Sequence, residues 1–148
     1  MHAAILGPVV ALVAWTLVMM IWLYAVRFPA LRRKGISLKG RVGSKGGDLD
    51  GVVEPEVQWK AHNYNHLLEQ PTLFYAICIT LALIGGGDIW INVWLAWAYV
   101  GFRVLHSLIQ ATVNVVRFRF YCFALASFCL LGLTVHAAAM LLHAHIMH

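Results

Sequence analysis

Four long stretches with almost no charged side chains constrain the fold of this chain more than any other feature. They cover about residues 3–26, 64–86, 89–116 and 119–143. Each is long enough for the about 20 residues that a helix needs to cross the hydrocarbon core of a bilayer. Only helices and closed barrels satisfy their backbone polar groups in lipid. The sequence therefore predicts an all-α integral membrane protein, a four-transmembrane-helix bundle in which residues 1–148 form one domain.

The overall composition supports this class. Hydrophobic residues make up 61% of the chain and charged residues only 11%, whereas a soluble domain is about 25% charged. This shortage of charge excludes a water-soluble globular domain, a disordered tail and a nucleic-acid-binding module. The 3 cysteines all fall inside apolar stretches, which favours buried thiols over a disulfide framework.

The charged residues that remain are concentrated in one connection. Most of the lysines and arginines lie in or next to the glycine-rich segment 28–60, and the connection between the third and fourth spans is also basic. Basic connections are typical of the cytoplasmic side of a membrane. We therefore expect segment 28–60 to be a cytoplasmic loop and both termini to lie outside.

Polar side chains recur on one face of the third predicted span. Five of them share an arc of about 80° on a helical wheel, and the rest of the helix is apolar. They are Arg103, His106, Gln110, Asn114 and Arg117. Because ionisable residues inside a membrane are costly, they indicate a functional site by default.

The second predicted span carries a similar polar stripe around Glu69. Its other members are His62, Asn65, His66 and Thr72. Two such stripes on neighbouring antiparallel helices can face each other across a common space, and we expect them to hold a polar ligand there. The alternative is that these side chains only bind the helices to one another, since polar contacts also stabilise membrane bundles.

The charges available indicate what kind of ligand would fit. Lys60, Arg103, Arg117 and Arg119 offer cations, and Glu69 offers a carboxylate that could accept an ammonium group. Guanidinium groups bind carboxylates with two parallel hydrogen bonds. An arginine beside a thiol also favours the thiolate, which is the reactive form. This set predicts a small anionic or zwitterionic ligand that bears carboxylates and an amine.

Two other readings of the same residues stay open. His62, His66 and Glu69 lie at ligand spacing on one helix face, and His106 could complete a zinc or iron site. The chain could also be a non-catalytic bundle that binds a lipid or another polar ligand. A transporter is less favoured, because the sequence shows no repeated halves or broken helices.

Three segments resemble the MAPEG family, the membrane-associated proteins in eicosanoid and glutathione metabolism. They are residues 60–62 (KAH), 65–74 (NHLLEQPTLF) and 102–107 (FRVLHS). The family includes microsomal glutathione transferases, leukotriene-C synthase and prostaglandin E synthase, with many bacterial relatives. The resemblance implies a homotrimer in a membrane, here a bacterial inner membrane, with glutathione as co-substrate in clefts between subunits that open to the cytoplasm.

The resemblance also implies a role for each candidate residue. An arginine near the end of the third helix stabilises the glutathione thiolate, and spacing from Arg103 leaves both Arg117 and Arg119 as candidates for this catalytic role. That thiolate attacks a hydrophobic electrophile or hydroperoxide that arrives from the bilayer. The implied glutathione-binding residues are Arg27, Lys60, His62, Asn65, Glu69, Arg103, His106 and Gln110.

Overall fold

The computed structural model describes residues 3–37, 39–40, 42–43 and 45–146, and these residues form helices without strands. Five α-helices are present: α1 (Leu6–Arg33), α2 (Pro55–Glu69), α3 (Pro71–Leu83), α4 (Trp90–Thr112) and α5 (Val116–Ile146). A short 3-10 helix, Gly46–Leu49, lies between α1 and α2. The prediction of an all-α fold is confirmed.

Helices α2 and α3 form one nearly continuous rod that is interrupted at a proline. Gln70 keeps helical dihedral angles, and Pro71 begins α3. Because proline has no backbone N–H, it cannot donate the hydrogen bond that would continue α2 through this point. The second predicted span therefore corresponds to α3 and the second half of α2.

Three helical segments are long and apolar enough to cross a membrane: Leu6–Arg33, Pro55–Leu83 and Val116–Ile146. Helix α4 is 23 residues long, which exceeds the about 20 residues needed for a span. The mean hydropathy of its most apolar stretch is lower than in the other three segments, because its sequence includes the polar residues Asn92, Arg103, His106 and Gln110. Three of the four predicted spans are thus supported by length and composition.

The ends of the helices differ from the prediction on the side of the basic loop. Predicted segment 28–60 is shorter as a loop, because α1 continues to Arg33 and α2 begins at Pro55. Helix α4 ends at Thr112, before the predicted end of the third span at about residue 116. Asn114 has a left-handed backbone (φ 52°), and its N–H donates to the carbonyl of Ile109 at 2.7 Å. Asparagine tolerates this conformation well, and it is a common way to end a helix.

Different parts of the chain lie at the two ends of the bundle. At one end the N–H of Ile5 donates to the carbonyl of Gly87 at 3.0 Å, and His136 of α5 contacts Asn92 at the start of α4. The other end holds the 3-10 helix, the start of α2 and the α4–α5 connection. Each basic connection therefore lies at the end opposite to the start of α1 and the end of α5.

The core runs along the middle of the bundle. Helix α1 buries Leu12, Met19 and Leu23, at the spacing of one helix face. The most extensive helix contact is between α4 and α5, where Gly132 of α5 packs against the side chain of Leu95, and Ala96 and Ala126 are buried in the core. Large apolar side chains such as Ile21 and Phe128 are exposed on the outside. An apolar exterior around a packed core is what a membrane bundle requires.

Candidate functional site

A cluster of polar and aromatic side chains lies where α2, α4 and α5 meet, toward the basic-loop end. Its centre is Arg103, which is fully buried (0% exposed). The Nε of Arg103 donates to the hydroxyl of Tyr99 at 3.2 Å. The guanidinium carbon lies 5.7 Å from the centre of the Tyr99 ring and 5.4 Å from that of Phe123. Aromatic faces attract cations, so these two rings compensate part of the cost of burying the charge.

The remaining nitrogens of Arg103 are unsatisfied. Among the residues that the structure describes, neither terminal nitrogen has a hydrogen-bond partner. No ion pair joins Arg103 to Glu69 there, and Glu69 instead accepts from His66. A buried cation without an anion costs several kcal/mol. The arrangement therefore provides two donors for an anionic group.

His106 and Gln110 form one wall beside this cation. The Nδ1 of His106 lies 2.9 Å from the carbonyl oxygen of Arg119, and its Nε2 lies 3.1 Å from the Oε1 of Gln110. Arg103, His106 and Gln110 are all buried on α4, so the predicted grouping of these three on one face is confirmed. Asn114 and Arg117, which were predicted to extend the stripe, lie beyond the end of α4.

The two arginines at the start of α5 have different surroundings. Arg119 is half-buried and donates to the Oδ1 of Asn114, and its buried Nε has no hydrogen-bond partner among the described residues. Arg117 is exposed, with its guanidinium carbon 5.7 Å from the centre of the Tyr121 ring and its Nε 3.3 Å from the Tyr121 hydroxyl. Of these two arginines, only Arg119 contacts His106, through its backbone carbonyl oxygen.

Helix α2 meets α4 through Asn63 and His66, of which only His66 belongs to the predicted stripe. The Nδ2 of buried Asn63 donates to the Oγ of Ser107 at 2.6 Å. The His66 ring lies 5.0 Å from the His106 ring and stacks on Phe123 at 5.6 Å.

Asn65 and Glu69 are exposed, and the expectation that the Glu69 stripe faces the Arg103 stripe is therefore wrong except at His66.

The spacing of Asn63, His66 and Gln70 could have identified the inner face of α2. These residues recur at three and four positions apart, which places them on one side of a helix. Gln70 continues the contact by donating from Nε2 to the Oγ of Ser127 at 2.8 Å. The sequence-based prediction centred the inner face of α2 on Glu69, which lies on the exposed side of the helix.

The other predicted binding residues lie apart from the Arg103 cluster. Arg27 donates to the carbonyl of Gly46 at 2.9 Å, and His62 lies 3.1 Å from the Oδ1 of Asp50. Both therefore attach the loop to the bundle. Lys60 lies with Nζ 5.4 Å from the centre of the Trp22 ring of α1, at the edge of a groove of about 450 Å³ between α1 and α2.

The alternative of a metal site is not supported. Throughout the described part of the chain, no three His, Cys, Asp or Glu side chains are grouped closely enough to hold a metal ion. The four candidate ligands are instead engaged in hydrogen bonds within the protein. His62 is oriented toward the loop, and His66 is hydrogen-bonded to Glu69, whereas His106 is held by Gln110 and a backbone carbonyl.

The fold and this cluster together define an all-helical membrane protein with a polar site enclosed by its helices. The MAPEG family model matches residues 5–139, and the chain belongs to that family. Searches among curated proteins and solved structures give no significant match. Members of this family are membrane proteins in glutathione and eicosanoid metabolism and use glutathione.

Proposed function

We propose that this protein is a membrane-bound glutathione-dependent transferase, with peroxidase-like activity toward hydroperoxides, and that it activates glutathione as a thiolate. The observation that carries the proposal is the fully buried Arg103, whose two terminal nitrogens have no partner among the described residues. Glutathione has two carboxylates, and a guanidinium group binds a carboxylate with paired hydrogen bonds. Membership of the family supports the choice of glutathione.

Arg119 is the proposed thiolate-stabilising residue. Its half-buried position and its hydrogen bond to Asn114 hold the guanidinium in place inside the protein, whereas Arg117 is exposed and contacts Tyr121 instead. An opposite charge beside a thiol favours its ionised form. Arg103 would bind a glutathione carboxylate, with buried His106 and Gln110 beside it on the same face of α4.

The electrophile is proposed to be hydrophobic and to enter from the bilayer. Phe118 and Phe120 on the first turns of α5 are more than half exposed, next to Arg119 in sequence. Aromatic side chains at such positions provide an apolar contact surface for a substrate dissolved in lipid. A hydrophobic substrate would thus reach the thiolate without crossing water.

A homotrimer is part of the proposal. Asn65 and Glu69 are exposed on the Pro55–Leu83 membrane-span candidate, and the Glu69 side chain is 68% accessible. Ionisable groups that face lipid are costly, so a neighbouring subunit that covers this face would stabilise the assembly. Lys60, Asn65 and Glu69 would then line the intersubunit cleft together with Arg27 and His62. The mass of the protein in detergent, after subtraction of bound detergent, tests the trimer.

We further propose that the basic loop and the α4–α5 connection face the cytoplasm of a bacterial cell, in the inner membrane. The excess of Lys and Arg at this end supports that orientation. Labelling of single cysteines introduced at Lys45 and at Asp88, in intact cells, tests it. The residue at position 88 is expected to react with an impermeant reagent and the residue at position 45 is not.

The central test compares Arg119→Ala with Arg117→Ala in detergent-purified protein. We expect wild-type protein to bind glutathione and to show the ultraviolet absorption of a thiolate. Arg119→Ala should lose that absorption and at least about 10²-fold in conjugation rate with an aromatic halide, as when one preorganised electrostatic group is removed. Arg117→Ala should retain both. Retention of both signals by both variants would contradict the assignment.

A further inference from the structure

The position of His66 in the cluster suggests a chemical role for its ring. It lies on α2, where its ring stacks on Phe123 of α5 with centroids 5.6 Å apart and planes 18° apart. The His106 ring of α4 lies 5.0 Å away. Its Nδ1 lies 3.0 Å from the Oε2 of Glu69. Contacts from three helices therefore fix both the place and the orientation of this imidazole.

The hydrogen bond to Glu69 determines which nitrogen carries the proton. A carboxylate accepts hydrogen bonds and donates none, so the Nδ1 of His66 must bear hydrogen. In the neutral ring the Nε2 then has a lone pair. Among the described residues, the one hydrogen bond of the His66 ring is the bond at Nδ1. Its Nε2 is thus able to accept a proton.

His106 is different, although it lies beside His66. Its Nδ1 donates to the carbonyl oxygen of Arg119, which can only accept, and its Nε2 faces the Gln110 amide. Both nitrogens of His106 are engaged, whereas His66 keeps one. Of the two histidines in the cluster, His66 is the better proton acceptor on geometric grounds.

We infer that His66 accepts the proton of the glutathione thiol and that Glu69 positions its ring for this step. The inference rests on the proposed function, since it needs glutathione in the site. The S–H bond breaks, a new N–H bond forms at the Nε2 of His66, and the electron pair stays on sulfur. Arg119 stabilises the resulting thiolate. After the thiolate has displaced a halide ion from an aromatic halide, His66 releases the proton to water.

The charges around His66 favour this transfer. Glu69, on the same helix, stabilises the imidazolium through a direct hydrogen bond. From α4, Arg103 opposes it, with its guanidinium carbon 5.4 Å from the centre of the shared Phe123 ring, and the His106 ring lies 5.0 Å from the His66 ring. From α5, Arg119 presents its backbone carbonyl to His106. The carboxylate is the charged group in direct contact with His66.

The number of protons released per thiolate formed tests this role, because a merely structural histidine would not change that number. Purified protein in weak buffer near neutral pH is mixed rapidly with glutathione, and both thiolate absorption and proton release to a pH indicator are recorded. In the wild type we expect clearly less than one proton released per thiolate, because His66 retains it. In His66→Gln we expect about one proton per thiolate, formed about 10²-fold more slowly, the usual contribution of a positioned base.

Two variants complete the design. Glu69→Gln keeps a hydrogen-bonding side chain of the same length and removes its charge, so proton release per thiolate should rise toward one. This variant also tests the inference if His66→Gln folds poorly. His143→Gln, at an exposed position near the end of α5, is the matched control and should behave as wild type. Complete proton release by the wild type, or unchanged release in Glu69→Gln, would overturn the role of His66. Failure of the wild type to bind glutathione would instead overturn the proposed function and this inference with it.

Discussion

Two buried polar residues of α4, one near its start and one beyond its middle, have very different surroundings. Near the start of the helix, the buried Asn92 donates from Nδ2 to the carbonyl of Gly86 at 2.8 Å, and its Oδ1 lies 2.6 Å from the Nδ1 of His136. Both ends of its amide group are hydrogen-bonded. Toward the other end, the equally buried Arg103 leaves two nitrogens without partners among the described residues.

This difference separates structural from functional polarity inside a membrane bundle. Asn92 stabilises the turn between α3 and α4, because it connects Gly86 of that turn to α5. Arg103 brings a charge into the core without an acidic partner among the described residues, which destabilises the bundle unless another group compensates. A satisfied buried polar group belongs to the fold, and an unsatisfied cation is better explained by a ligand.

The largest expected effect comes from Arg103→Met, which keeps a long apolar side chain and removes the charge. We expect glutathione to bind about 10²-fold more weakly, equivalent to about 2.7 kcal/mol, because hydrogen bonds to charged groups contribute about 1.5–3 kcal/mol each. Without glutathione, the variant should unfold at the same or a higher temperature than wild type. Isothermal titration and thermal unfolding in one detergent measure the two quantities.

A loss of stability without a loss of binding would reverse the interpretation of Arg103. It would mean that Tyr99 and Phe123 fully compensate its charge and that Arg103 only joins helices. Arg103→Lys serves as a control, because it keeps the charge and loses the planar pair of donors. It should bind glutathione with intermediate affinity.

The next largest effect is expected from Asn92→Leu, which should lower stability and leave glutathione binding unchanged. This change leaves the Gly86 carbonyl and the Nδ1 of His136 without their hydrogen-bond partner, at about 1–3 kcal/mol for each unsatisfied buried group. We expect the free energy of unfolding to fall by about 2 kcal/mol while glutathione affinity is unchanged. Unfolding in detergent and the same titration measure both. Weaker glutathione binding by Asn92→Leu would show that the surroundings of Asn92 and Arg103 are coupled.

Much of the fold followed from periodicity and hydropathy along the chain. Positions within one helix are fixed by its geometry, so Arg103, His106 and Gln110 could be assigned to one face before any contact was known. Helix ends were harder to predict. Asn114 ends α4 through a left-handed backbone conformation, and an apolar segment with no glycine or proline gave little sign of it.

The relation between helices could not be predicted in the same way. Which side of α2 faces α4 depends on packing, and the stripe centred on Glu69 was placed inward because its residues are more strongly polar. The contact is made instead by Asn63 and His66. A charged residue in a membrane helix can lie at a protein surface as well as in a core, and the sequence of one chain does not distinguish the two.

A smaller effect is expected from Tyr99→Phe, which tests how the Arg103 charge is held. The change removes the hydroxyl that accepts from the Nε of Arg103 at 3.2 Å. It keeps the ring, which stacks on Phe74 with centroids 4.2 Å apart. A single hydrogen bond contributes about 1 kcal/mol, so glutathione affinity should fall about fivefold. Unchanged affinity, measured by titration, would show that the two aromatic rings alone orient the guanidinium.

The smallest effect concerns the loop that covers the same end of the bundle. Asp50 accepts from the Nε2 of Gln58 at 2.6 Å and lies 3.1 Å from the Nε2 of His62. The hydrogen bond from Gln58 lowers the pKa of Asp50 below its usual value of 3.8; desolvation opposes this shift, and the charges of His62 and Arg27 add to it. The ionised carboxylate therefore stabilises the folded loop.

The direction of the pH dependence follows from that shift. A carboxyl group whose pKa is lower in the folded state contributes stability above its unfolded pKa and loses it as the pH falls through the folded one. Between pH 7 and pH 5 the loop should stay attached, and it should loosen below about pH 4, since the usual pKa of Asp is about 3.9. Hydrogen exchange at the amides of Asp48 and Asp50, corrected for intrinsic rates, measures the protection. Asp50→Asn should remove this dependence, and equal protection of the wild type at pH 5 and pH 3 would show that Gln58 holds the loop without the charge.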